Sequence, residues 1–376
     1  MPNTKWSRVI TPIVLVTFLL TGVGTLSAQG AREATVAVSN GASPSTSAPS
    51  VSSSRAGAPP VGDVLVGAAA SPPMGSGDGS FLVEPTHGRV IMKVRLAGGA
   101  NAFRVAISGH TAYVPTLQGK TYVVNLRSRE VVSSFSTPAG ARIADVANHQ
   151  LIITGAKNVT AFALPSLKRE WQVATGGNAL AVVGHTAYLS GNGMRTTKII
   201  DLTSGKIIGS IPVGKIEDSL YVPQRHELWL ANWWNGSMTV VNTATERVVK
   251  VITRKEGSGI TAKDLSSPKF MMAAPGGYMQ LALGPQGRHV YAASFSGNIM
   301  VFNTRNNTFE KDIPTVPMAK LSGIAVDPSG RYAYTTVENK KETIALSLKT
   351  GKVESAYAGL ASNRWFVITS GSPTTM

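Results

Sequence analysis

A chain of 376 residues, 43% of them hydrophobic and with 38 glycines and 21 prolines, carries apolar material for one large core but is interrupted too often for long helices. It has no cysteine, which excludes disulfides, thiolate metal sites, a cysteine nucleophile and a lipid-modified cysteine. Its 36 Lys and Arg against 20 Asp and Glu give a formal charge of +16, an excess that either serves solubility or favours an anionic partner.

The first element is a leader. Lys5 and Arg8 precede an apolar run from Val9 to Leu26, and Ser27, Ala28 and Gly30 supply the small residues of a cleavage site. This pattern predicts a signal peptide over 1–30 and a periplasmic or secreted bacterial protein, with a retained membrane anchor as the alternative. Residues 31–78 are dominated by Ser, Ala, Gly and Pro, with few aromatic or charged side chains. Such a stretch buries too little surface to offset its ordering entropy and is expected to be a disordered linker.

From residue 79 to 372 short runs of β-branched and aromatic residues alternate with Gly, Asn, Ser and Pro turns, the pattern of many short strands. The runs repeat. His110, His149, His185, His226, His289 and Arg331 each stand just before a similar apolar strand, at spacings of 39, 36, 41, 63 and 42 residues. Polar turns at Asn125, Leu164, Asp201, Asn242, Asn303 and Ser347 recur at spacings of 39, 37, 41, 61 and 44, so both markers place one insertion near 252–277. A unit of about 40 residues holding four short strands is a propeller blade. Six such units run from Gly98 to Gly359, Arg364-Trp-Phe-Val-Ile-Thr begins a seventh, and strands at Ser80 and Gly88 precede the first. The expected fold is all-β: a seven-bladed β-propeller closed by N-terminal strands.

Units such as Gly323-Ile-Ala-Val-Asp-Pro-Ser-Gly-Arg-Tyr-Ala-Tyr-Thr-Thr and Leu228-Trp-Leu-Ala-Asn, followed by Met238-Thr-Val-Val-Asn, resemble the YVTN repeat of YncE-type propellers over nearly all of the folded part. Several repeats depart from the tetrapeptide, as in Tyr113-Val-Pro-Thr. The resemblance implies the fold and leaves the activity open, because related repeats resemble those of surface-layer proteins, lactonase-like propellers and the heavy chain of methylamine dehydrogenase.

Residues that occupy one slot in successive blades lie on a ring, too far apart to ligate one ion at about 2 Å, so the histidines are read as turn residues. No catalytic motif is present, no metal or cofactor is expected, and of the adjacent Glu217 and Asp218 at most one can face a central channel. The loops between blades and those joining second to third strands carry Arg142, Lys157, Arg195, Lys198, Lys215, Lys320, Lys340, Lys341 and Arg364, with Arg254, Lys255 and Lys263 in the insertion. Asn232, Trp233, Trp234, Tyr278 and Phe295 lie among them. Aromatic faces among cations suit stacking on bases or sugars while phosphates or carboxylates are held. The expectation is a monomeric, non-enzymatic propeller that binds single-stranded nucleic acid, an acidic glycan or a protein. The alternatives are a lactonase-like hydrolase, an electron-transfer propeller and a cell-envelope scaffold.

Overall fold

The computed structural model describes the backbone of residues 63–69, 80–84, 89–93, 102–128, 130–253, 277–316, 319–340, 342–358 and 363–370, with side chains over the parts of those ranges between 102 and 356. The expected signal peptide at 1–30 and residues 254–276 of the insertion lie outside the described residues.

Six four-stranded antiparallel sheets follow one another along the chain, each with its strands in sequence order, and together they are blades of a β-propeller. Their innermost strands are Ala106–Ser108, Ile143–Ala147, Ala179–Val183, Ile216–Val222, Tyr278–Leu283 and Leu321–Val326, each beside the next around the axis. Alternation places the core between sheets: in the fourth and fifth blades Trp229, Met238 and Val240 pack with Tyr278, Met300 and Phe302. Trp229 is fully buried and meets Phe302 edge to face at 6.1 Å. The outermost strands carry the charges and face water, as in Arg247–Thr253, where only Ile252 is buried. In all six blades the register between third and fourth strands shifts once, a repeated irregularity of the kind that twists the outer strand.

Both sequence markers have a local cause. The polar marker is the turn joining third to fourth strands: Asn125 Oδ1 accepts the N–H groups of Arg127 and Ser128 at 2.8 and 3.0 Å, and Asn242 Oδ1 does the same for Ala244 and Thr245 at 3.1 and 2.9 Å. His110, His149, His185 and His226 lie in the first hairpin turns, where His149 and His226 themselves adopt φ of 59° and 51°, and His289 opens the strand that follows its turn.

A further four-stranded sheet has the order Asn363–Ser370, Asp63–Ala69, Ser80–Glu84, Arg89–Lys93. Asp63 pairs with Ser370 and Leu65 with Ile368, so the two ends of the domain share one sheet. Asn363–Ser370 lies beside Leu321–Val326 on one side and Ala106–Ser108 on the other. The expected linker at 31–78 is therefore too long at its C-terminal end, because Asp63–Ala69 is a strand. Its Val64-Leu-Val core is only three residues long and is flanked by Pro- and Gly-rich sequence, which masks it by composition.

The innermost strands run parallel, as the parallel bridge between Arg104 and Ile143 shows. All loops between blades and all loops from second to third strands therefore open on one end, here the loop face. The first and third turns of each blade form the opposite, hairpin face. Among the described residues no helix is long and apolar enough to cross a membrane.

Candidate binding face

Charge is sorted between the two ends. On the loop face Lys120, Arg142, Lys157, Arg195, Lys215 and Lys340 are exposed, and Lys198 and Lys320 are half-buried. The acidic residues of that face among the described residues are Glu217, Asp312, Glu338 and Glu342, and none is fully exposed. Glu217 is buried and takes hydrogen bonds from the side-chain amides of Asn178, at 3.0 Å, and Asn192. Asp312 accepts one from Asn298 Nδ2 at 3.2 Å. Every fully exposed charge described on this face is thus positive. The hairpin face mixes signs, with exposed Glu130, Glu170 and Glu246 among Arg127, Lys206 and Arg247.

The tryptophan pair lies on the loop face, in the turn after Glu227–Asn232 of the fourth blade. Asn232 Oδ1 shapes the turn by accepting the N–H groups of Trp234 at 2.9 Å and Asn235 at 3.2 Å. Trp233 is half-buried. Its ring stands edge to face with Phe295 at 6.3 Å and so close over Gly277 that a Cβ there would lie 2.6 Å from the indole. This indole thus joins the fourth blade to the fifth. Trp234 leans on Trp233 at 5.1 Å and is 57% exposed. Of the two, only Trp234 offers a face to a partner.

Inside the channel lies a group that sequence reasoning missed. Arg104, ahead of the first blade, places Nη1 3.1 Å from Asp218 Oδ1 of the fourth blade, and Asp218 Oδ2 accepts the Leu281 N–H of the fifth at 2.8 Å. Burial pushes the Asp218 carboxyl up to about 6 against the opposing pull of the Arg104 guanidinium and two backbone N–H groups. Asp145 of the second blade is raised for the same reason and is also opposed by Arg104. Asp218 is the one of the adjacent acidic pair that turns to Arg104, while Glu217 turns to the amides of the third blade.

Arg142, Arg195, Lys198, Lys320, Trp233, Trp234 and Phe295 thus share the loop face, and Asn232 holds the tryptophan turn. Tyr278 does not belong with them: it is buried against Phe302 at 5.6 Å, because it opens an innermost strand rather than ending a loop. Arg364 starts the strand Asn363–Ser370, and its side chain lies outside the described residues, as do Arg254, Lys255, Lys263 and Lys341. His110, His149, His185, His226 and His289 lie on the hairpin face, one in each of the first five blades, and no group of three metal-binding side chains forms among the described residues.

No protein-family model matches the chain, and no curated protein matches it. Among solved structures it is similar to Kuenenia stuttgartiensis hydrazine synthase, with a TM-score of 0.56 and 16% identity over 66% of this chain and 77% of that one. At that identity the likeness is one of fold alone. Similar structures number 1746 chains, so the resemblance specifies an architecture that serves many functions.

Proposed function

We propose that the protein is an exported, monomeric propeller of the YVTN/YncE type that binds an anionic macromolecule through its loop face without transforming it. The sheet shared by the two ends supports a ring of seven blades, with Asn363–Ser370 as the innermost strand of the seventh. The observation that carries the binding role is the charge sorting: among the described residues, exposed cations without exposed acids at one end, mixed charge at the other. A solubility excess has no reason to spare one face of acidic side chains. The exposed indole of Trp234 adds a stacking surface at the edge of the same face.

The test uses polygalacturonate and a single-stranded oligothymidylate as probes, titrated into the full chain at 50 and 200 mM salt. Binding through several phosphates or carboxylates weakens by at least tenfold over that range. A Lys157→Glu, Lys215→Glu variant weakens it further, while an Arg127→Glu, Lys206→Glu variant of the hairpin face leaves it within about twofold. Equal losses from both variants would remove the loop face as the binding surface.

A further inference from the structure

We propose that a recess in the loop face, where the first three blades meet, binds one anionic sugar unit, a sugar acid or sugar phosphate, with Arg142 holding its oxyanion. The proposal rests on the reading of the loop face as a binding surface and gives it a ligand class.

The recess has a volume of about 460 Å³, within the ~300–1,000 Å³ range of small-molecule sites. Its walls are mostly peptide groups, because glycines supply much of the lining. Two of them are required by packing: a Cβ on Gly176 would overlap the Ala156 carbonyl, and one on Gly177 the Ser190 carbonyl. The loops therefore close on each other backbone to backbone, and peptide groups rather than long side chains make up much of the wall. Among the described residues the N–H groups of Gly176, Gly177 and Gly193 meet no hydrogen-bond acceptor. Neighbouring uncommitted N–H groups form a concavity suited to an oxyanion.

Arg142 supplies the charge. Its guanidinium stacks over the Phe103 ring at 5.3 Å and makes no ion pair among the described residues, so it is positioned yet uncompensated. The nearby acid, Glu217, is buried and its carboxylate is turned to side-chain amides rather than to Arg142. Asn178 donates Nδ2 to Glu217 and accepts the Asn192 N–H on Oδ1 at 2.9 Å, so that carboxylate is engaged by amides and covered.

The lining also selects the rest of the ligand. Among the described residues no aromatic side chain lines the recess, so a base has nothing there to stack on. Leu117, Ala156 and Met194 offer small apolar patches between peptide groups, which match the C–H faces and hydroxyls of a sugar ring.

The full chain is titrated by calorimetry at low salt with glucuronate, glucose 6-phosphate and neutral glucose. Both acids are expected to bind at least tenfold more tightly than glucose, and the tighter of the two assigns carboxylate or phosphate. Arg142→Ala should lose at least tenfold for the acids. Gly193→Leu, placed where an added Cβ meets nothing within 4 Å, should abolish binding while unfolding at the wild-type temperature. The inference is overturned if neither acid outbinds glucose, or if Arg142→Ala binds them unchanged. Oligothymidylate binding distinguishes the two readings: if it persists with its salt dependence, only the recess fails, and if it is absent as well, the binding face fails with it.

Discussion

Replacing Asp218 by Asn tests whether burial or the ion pair with Arg104 dominates in the channel. The carboxyl is held at about 6 in the folded chain against an ordinary value of 3.8. Between those values the folded protein binds more protons than the unfolded one, so this group stabilises most below pH 3.8 and its contribution is lost as pH rises through 6. The gap corresponds to about 3 kcal/mol. Asn cannot ionise, so the variant lacks this term at every pH, while Asp145, raised in the same direction, is present in both proteins. Urea unfolding followed by tryptophan fluorescence from pH 4 to pH 7.5 should show the wild type losing about 2.5 kcal/mol relative to Asp218→Asn over that range, the rest of the loss lying below pH 4. A constant difference would place the carboxyl in its ordinary range. A difference of opposite sign would show that the guanidinium at 3.1 Å outweighs burial.

The two tryptophans should separate in experiment. Trp233→Ala removes the contact with Phe295 and is expected to cost about 2–3 kcal/mol of stability in urea unfolding. Trp234→Ala should leave stability within about 0.5 kcal/mol and weaken oligothymidylate about tenfold, as removal of one stacking surface does. Gly177→Ala should destabilise by about 2 kcal/mol or more, because its methyl group meets the Ser190 carbonyl, whereas Gly193→Ala should be neutral.

The architecture was legible because each blade repeats its own turn chemistry. The Asn or Asp that shapes the third turn in four blades and the histidine beside the first turn in five serve local needs, so they recur at the blade's own period. Cations on the loop face were legible for a related reason, since position within the blade determines the end to which a loop points. The strand Asp63–Ala69 was hidden because its partner, Asn363–Ser370, lies at the other end of the domain. Arg104 and Asp218 are 114 residues apart and meet only through the channel, so no local pattern connects them. The recess escaped notice because it is built from main-chain groups, and a glycine's role as a wall leaves no chemical signature in the sequence. Both tryptophans were expected to offer stacking faces, and the bridging of two blades by Trp233 was hidden because it depends on Gly277 of the next blade.

The pairing of Asp63–Ala69 with Asn363–Ser370 also sets an order of events for the newly made chain. A strand made near the start of the domain must wait for the last one, and until then an unmated edge is open to other chains. So long-range a closure is intrinsically slow. A ribosome that has not yet released Asn363–Ser370 therefore holds an unsealed domain, and that strand acts as its latch. Truncation before Asn363 would leave the repeats intact and remove the latch, yielding a product prone to aggregation rather than a smaller propeller.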